Sequence, residues 1–392
     1  MKNSILIIIV ILLLLYLLCI PTRSMKINKK VESNKEKRAI FISYIELSEY
    51  LKGKDEKTAK NNIDTMINNI KRFKFNLVIL QVRSFSDSIY ESQYFPWSRM
   101  ISNNEGEKYY FDVLNYFIEK THQNNIELHA WINPYRIRNT GNINDICKQN
   151  PAYKMFNTND VDISESGVYY NPASLKVQRL VLDGIEEILI NYDVDGIFFD
   201  DYFYPNLEID SENYKEYVSS HKNITKEEYH LLMVNNLVEQ THKLTKKYNK
   251  VFGISPEGNI KNNYSKNQAD VYNWGKSNVY VDYLMPQIYY GFLNENAPFY
   301  KVLIEWDDIV KNSDVKIIPA LAFYKIDKED IYANGGKLEW IENDDIIMRQ
   351  VLLSRNISHY DGFAIYRYDS IFREKSEHVN KEINNLKKVI DN

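Results

Sequence analysis

An α/β fold, and within that class a (β/α)8 TIM barrel with long loops on its catalytic face, is what this sequence predicts. Three observations predict it. Eight short, β-rich apolar runs recur along the 392 residues with amphipathic stretches between them, the pattern of parallel strands joined by helical crossovers. Nearly every run ends in polar or aromatic residues, and the carboxyl ends of strands are where such barrels carry their chemistry. With 44% hydrophobic and 26% charged residues the chain can also bury a full core, so one large domain is the economical organisation.

In chain order the strand runs are 39–43, 77–82, 127–132, 196–200, 251–255, 283–288, 316–322 and 362–366. Helical periodicity fills the gaps at 58–73, where Ile63, Ile67 and Ile70 share one face, and at 111–124, 175–191, 226–248, 300–311 and 344–354. Two long excursions, 84–110 and 134–174, are placed to wall a cleft on the strand-end face. No internal repeat is visible.

The N-terminus reads differently. Residues 1–24 hold Lys2, an apolar run from Ile5 to Ile20, and then Pro21-Thr22-Arg23-Ser24, the pattern of a signal peptide or membrane anchor. The run is shorter than the ~20 residues of a spanning helix, but its Leu and Ile content and the missing small-x-small cleavage site favour an uncleaved anchor. Leu18 before Cys19 is too large for a good lipoprotein site. The expected organisation is therefore 1–24 anchor, 25–37 basic tether, 38–375 barrel and 376–392 C-terminal helical tail, with the barrel outside the cytoplasmic membrane, anchored to it or at the cell surface.

Composition narrows the partners. The net charge of -4, from 49 basic and 53 acidic side chains, lacks the basic footprint that a phosphate backbone requires, so nucleic acid is not expected. Only Cys19 and Cys147 occur, which leaves no disulfide framework or cysteine metal site. His122 and His129 are not spaced as a metal pair, and no Gly-rich phosphate loop appears, so neither a metal nor a nucleotide cofactor is expected. The 31 tyrosines suit a cleft that stacks on sugar rings and offers hydroxyls, or simply an aromatic core.

The chemistry centres on Asp195-Gly196-Ile197-Phe198-Phe199-Asp200-Asp201-Tyr202-Phe203-Tyr204-Pro205, an apolar strand ending in two carboxylates among aromatics. A single Asp there often caps the next helix. Two in tandem point to a sugar or polyol site, because glycoside hydrolysis needs one carboxyl to protonate the leaving oxygen and another to act on the sugar or on water. Strand alternation sets Phe198 and Asp200 on one side and Asp201 on the other, unless a bulge turns Asp201 inward. The catalytic candidates are Asp200, Asp201, Glu257 and Asp87. Asp200 leads, Glu257 is favoured over Asp87 as the acid, and Asp201 serves as support; Glu257 also reads as a solvated turn residue. Substrate-binding candidates at the strand ends are Arg83, Trp131, Asn133, Tyr135, Arg136, Tyr202, Asn259, Gln287, Tyr289 and Tyr366. For Trp131 the competing reading is a ring buried in the barrel, and for the arginines it is a surface position.

Several of these stretches together resemble the glycosyl hydrolase-like 10 family. They are Arg38-Ala39-Ile40-Phe41, Gln81-Val82-Arg83 with Asp87-Ser88-Ile89-Tyr90, His129-Ala130-Trp131-Ile132-Asn133-Pro134-Tyr135-Arg136, Asn171-Pro172, the block from Asp195 to Pro205, Gly253-Ile254-Ser255-Pro256, and Asp282-Tyr283-Leu284-Met285-Pro286-Gln287-Ile288-Tyr289. The resemblance runs over about 38–375. It implies a (β/α)8 glycosidase of the bacterial envelope acting on cell-wall glycan, with Asp200, Asp201, Arg83, Asp87, Asn133 and Arg136 in the shared site. Glu257 departs from the family, which more often has an aromatic or an amide there, so Asp87 or Asp201 stays open as the second carboxylate. The expected activity is hydrolysis of peptidoglycan glycan strands; the alternative is a carbohydrate-binding pseudoenzyme or envelope scaffold. An esterase or deacetylase is disfavoured, since neither a nucleophile elbow nor a metal triad is present.

Overall fold

The computed structural model describes residues 36–221, 224–373 and 375–391. The anchor expected at 1–24 and nearly all of the tether lie outside the described residues. Among the described residues no helix is long and apolar enough to cross a membrane.

The strands are β1 (Lys37–Ile42), β2 (Leu77–Arg83), β3 (Glu127–Ile132), β4 (Arg136–Arg138), β5 (Val161–Ser164), β6 (Gly167–Tyr170), β7 (Gly196–Phe199), β8 (Val251–Ile254), β9 (Tyr283–Leu284), β10 (Lys316–Ile317), β11 (Ala320–Leu321) and β12 (Gly362–Ile365). Nine form one parallel sheet in the order β10-β9-β8-β7-β3-β2-β1-β12-β11, and β4-β6-β5 form a small antiparallel sheet. The two ends of the nine-strand order are halves of a single chain run. On one side of it Ile318 N–H donates to Leu284 O (3.0 Å) and Ala320 N–H to Pro286 O (2.9 Å); on the other, Ala364 N–H donates to Pro319 O (2.9 Å) and Tyr366 N–H to Leu321 O (3.0 Å). The curled sheet is thus hydrogen-bonded around its circumference. Pro319, with no N–H to give, splits the expected strand 316–322 into β10 and β11.

Alternation sorts the side chains. Ala39, Phe41, Leu77, Ile79, Trp131, Phe198, Tyr283, Met285, Ile318, Ala320 and Ala364 fill the inside of the sheet, while Ile40, Ile42, Val78, Leu80, Ile197 and Phe199 face the helices. Gly253 is required inside: a Cβ there would lie 2.0 Å from Tyr283 Cζ. The Tyr283 hydroxyl in turn meets His129 Nδ1 at 2.7 Å, and burial pushes that imidazole down to about 3, so it is neutral.

The helices are α1 (Tyr44–Leu51), α2 (Glu56–Arg72), α3 (Val113–His122), α4 (Leu175–Asn191), α5 (Ser211–Ser220), α6 (Lys226–Lys247), α7 (Ile260–Ser265), α8 (Val271–Lys276), α9 (Phe299–Val310), α10 (Glu339–Glu342), α11 (Ile346–Ser354), α12 (Tyr368–Phe372) and α13 (Glu377–Asp391). Capping boxes start α1 (Ser43 with Glu46) and α6 (Thr225 with Glu228), and Asp55, Asp112 and Ser174 side chains cap α2, α3 and α4.

Both expected domain edges shift. β1 begins at Lys37, inside the stretch read as tether, and Glu36 is already buried. There Glu36 accepts from Arg355 Nε (2.8 Å) and Tyr360 Oη (2.6 Å), while Arg355 also donates to Val389 O (2.8 Å). α13 is likewise part of the fold: it buries Leu386, Val389 and Ile390, and Glu382 accepts from the first backbone N–H groups of α11.

Candidate active site

The site is built at the carboxyl end of β7. Phe198 points into the barrel, so Asp200, two residues on, stands above it and is only 5% exposed. Its Oδ2 accepts from Trp131 Nε1 at 3.2 Å and from the Asn133 side-chain amide, and its Oδ1 receives Tyr202 N–H at 3.4 Å. Asn133 is itself fixed, its Oδ1 taking Gln81 Nε2 at 2.6 Å and Arg136 Nη2 at 3.3 Å. Gln81 completes the chain by accepting Tyr44 N–H at 2.9 Å. Four strand ends therefore hold one carboxylate.

Burial raises the Asp200 carboxyl, opposed by the Arg136 guanidinium, the Asn133 amide, Tyr202 N–H and the Trp131 indole. Asp201, half-buried, is pushed up to about 7, first by burial and then by the charge of Asp200; the Gln287 amide lowers it and Glu257 raises it. The two carboxyls titrate as a pair. Since the N–H donors and Arg136 gather on Asp200, the ionised form is best held there and the shared proton belongs on Asp201.

Glu257 stands at the next strand end, paired with Gln287 by an isolated bridge. Its Oε1 takes Asn262 Nδ2 at 2.6 Å and its Oε2 takes Asn267 Nδ2 at 3.4 Å. Gln287 Nε2 donates to Ser255 O at 3.1 Å. Arg136 lies over the rings of Phe85 (4.8 Å), Tyr202 (5.2 Å) and Tyr44 (5.7 Å) and donates from Nε to Ser84 O. Tyr289, Tyr324 and Tyr366 close the opposite wall with ring centroids 5.8–5.9 Å apart. Tyr202 is 55% exposed at the rim.

Of the expected site residues, the structure thus gathers Asp200, Asp201, Glu257, Asn133, Arg136, Tyr202, Gln287, Tyr289 and Tyr366. Trp131 belongs to the barrel interior, edge-on to Phe41 and Phe198, and reaches the site only through its N–H. Asn259 spends its side-chain oxygen capping α7, accepting from Lys261 N–H at 3.0 Å and Asn262 N–H at 3.3 Å. Tyr135 is 1% exposed, packed in the outer core; it lines a void of ≈ 50 Å³ that Asp201 and Tyr202 also reach.

Arg83 and Asp87 need correction. A register shift between Gln81 and Arg83 sets Gln81 opposite Trp131 but Arg83 opposite Ile132, so this bulge turns Arg83 to the helix side. Its guanidinium is sealed there 4.3 Å from the Phe95 ring centre, beside Gly184 of α4, and does not face Asp200. Asp87, 0% exposed, takes Ser98 Oγ at 2.7 Å and sits with Glu105, Arg138 and Arg99 under the 84–110 loop. The residue missed was Gln81, whose inward place follows from Leu77 and Ile79 four and two residues earlier.

A cavity of ≈ 550 Å³ lies elsewhere, lined by residues of α7, α8 and α9 such as Lys261, Tyr272 and Glu305. Its carboxylates, Glu305 and Asp308, are exposed, whereas Asp200 is buried and held by hydrogen-bond donors, so the strand-end cluster is the better candidate for chemistry.

A family model described as Glycosyl hydrolase-like 10 matches residues 36–334. Among curated proteins the chain is similar to glycosyl hydrolase YngK of Bacillus subtilis, 31% identical over 367 residues that cover 86% of this chain and 69% of that protein. It is also similar to glycosyl hydrolase DigH of Escherichia coli, 26% identical over 344 residues covering 79% of this chain and 76% of that one. Among solved structures, the glycoside hydrolase domain of PgaB (BpsB) from Bordetella bronchiseptica superposes with a TM-score of 0.60 at 12% identity, covering 90% of this chain and 99% of that one. The catalytic domain of β-amylase from Paenibacillus polymyxa gives 0.55 at 8% identity, with 91% and 99% covered. At these identities the two structures speak for the barrel fold alone.

Proposed function

The chain belongs to the glycosyl hydrolase-like 10 family, and from that premise we propose that it is a glycoside hydrolase acting outside the cytoplasm on the glycan strands of the bacterial cell wall, with Asp200 and Asp201 as its working carboxyls. One observation carries this reading: two adjacent carboxyls share a buried strand end, and their surroundings separate their proton affinities. Asp200 is the ionised member, placed to act on the sugar centre or on water as positive charge develops there. Asp201, raised to about 7, is the proton donor to the leaving oxygen. Glu257 faces Asp201 and supports its protonated form. This reverses the order favoured from sequence, because Glu257 has both oxygens engaged by asparagine amides while Asp201 is the group whose environment keeps a proton near neutral pH.

Arg136 and Asn133 orient Asp200, and Tyr289, Tyr366 and Tyr202 offer ring faces and hydroxyls to the substrate. The membrane tether and the cell-wall substrate rest on the N-terminal sequence pattern and the family resemblance. The deciding experiment is incubation of the protein with purified wall glycans and mass analysis of the products. Shortened glycans formed by addition of water support the reading; intact glycans with firm binding transfer it to a carbohydrate-binding protein without turnover.

A further inference from the structure

Beyond the catalytic cluster, two loops on the same strand-end face are locked together to display apolar side chains to solvent. The loop after β9 places Leu293 at 59% exposure, and the loop after β11 places Ile331 at 69% and Tyr332 at 77%. Side chains of this kind usually retreat into the core, and a rigid group of them on a functional face marks a binding surface.

The rigidity is built in detail. Asn296 Nδ2 donates to Tyr332 O (3.2 Å), and Glu295 N–H to Ala333 O (3.4 Å). Asp330 N–H donates to Lys337 O (2.9 Å), Ala333 N–H returns to Asp330 O (3.0 Å), and Lys325 pairs with Asp330 at 2.8 Å. Phe292 and Leu293 N–H groups both end on the buried Glu339 carboxylate, at 3.0 and 2.8 Å. The loops touch backbone to backbone at Gly336, where a Cβ would lie 2.2 Å from Leu293 O.

The ridge is also continuous with the site. Tyr366 and Tyr289, which feel the charge of Asp200, both contact the ring of Tyr324. Tyr324 opens the loop that carries Ile331 and Tyr332, with Lys328 Nζ 6.0 Å over its ring. The aromatic cluster beside the carboxylates thus shares a loop with the exposed ridge.

We propose that Leu293, Ile331 and Tyr332 form a distal subsite that binds sugar units of the same glycan remote from the bond being cleaved. This rests on the glycosidase reading and adds to it a second point at which the strand is held. Flat apolar sugar faces stack on such a ridge, and a monosaccharide in the central site does not reach it.

The test compares the full protein with the double variant Ile331→Ala, Tyr332→Ala, and with Leu293→Ser as an independent probe. Binding to purified insoluble wall glycan and hydrolysis of an aryl monosaccharide glycoside are both measured. Glycan binding is expected to weaken roughly 3- to 10-fold per lost platform, with KM for soluble glycan strands rising and the aryl glycoside rate unchanged. Unaltered glycan binding in both variants, with the wild type active, overturns the ridge and leaves the glycosidase reading intact. A wild type that neither binds nor cleaves any wall glycan overturns both.

Discussion

Asp87 and Asp200 begin alike and end in opposite places. Each follows a barrel strand, each is sealed from solvent at 0% and 5% exposure, and burial raises both carboxyls, Asp87 to about 6. Their partners differ. Asp87 is held by Ser98 of its own loop, whereas Asp200 is held by Trp131, Asn133 and Arg136 from a neighbouring strand end. The cause is one residue of register: β7 keeps its alternation to the end, while the bulge in β2 hands its last residue to the helix side. A strand end becomes a site or a seal according to which face the final residues inherit, even when burial and charge look the same.

The largest expected effect breaks the sealed side. Arg138 and Glu105, both 0% exposed in their side chains, meet at 2.8 Å. Arg138→Ala leaves a buried carboxylate unpaired beside Asp87 and should cost about 3–5 kcal/mol in urea unfolding; a loss below about 1 kcal/mol would contradict a sealed charge cluster. On the open side, Asp200→Asn should lower turnover by a factor of about 100 or more with thermal stability nearly retained. A residual rate above about a tenth would remove Asp200 from the chemistry.

Gly184→Ala sharpens the assignment of Arg83 to the helix side. The added Cβ would stand 2.5 Å from Phe95 Cε2 and 2.6 Å from Arg83 Nη1, so a loss of about 1–3 kcal/mol is expected with KM unchanged. A raised KM at wild-type stability would place Arg83 at the substrate after all. The smallest effects are in pH. The Asp201 proton is present below about 7 and lost above it, so the rate should fall as pH rises through that value. Asp201→Asn should abolish this limb and Glu257→Gln preserve it; the reverse result restores Glu257 as the acid. Asp87 acts in the same direction on stability: its folded value lies above the ordinary 3.8, so its contribution is full below about 4 and declines toward 6. Asp87→Asn should flatten that decline in melting curves taken across the window.

Most of the barrel was legible because apolar runs such as Leu77 to Val82 and Gly196 to Phe199 are buried on both faces and need no partner to be recognised. The Asp200 cluster was legible for the same reason, since alternation from Phe198 fixes its side. Arg83 was misread because a bulge leaves no mark in composition, and period-2 counting passes straight through it. Splitting of the run 316–322 was visible only as Pro319. The hairpin of β5 and β6, hidden in the 134–174 excursion, carried a weak signal in its short alternating runs around Glu165 and Ser166. Helix α1 was overlooked despite its Ser43 and Glu46 capping pair, because eight residues are too few for periodicity to show.

The Glu36 clasp has a directional consequence. Glu36 sits at the amino end of β1, tied by Arg355 and Tyr360 to the floor of the barrel, whereas Asp200 opens at the carboxyl ends of the strands, on the far side. The polypeptide therefore enters the domain through its base. The point of entry and the mouth of the site thus lie at opposite poles of the barrel.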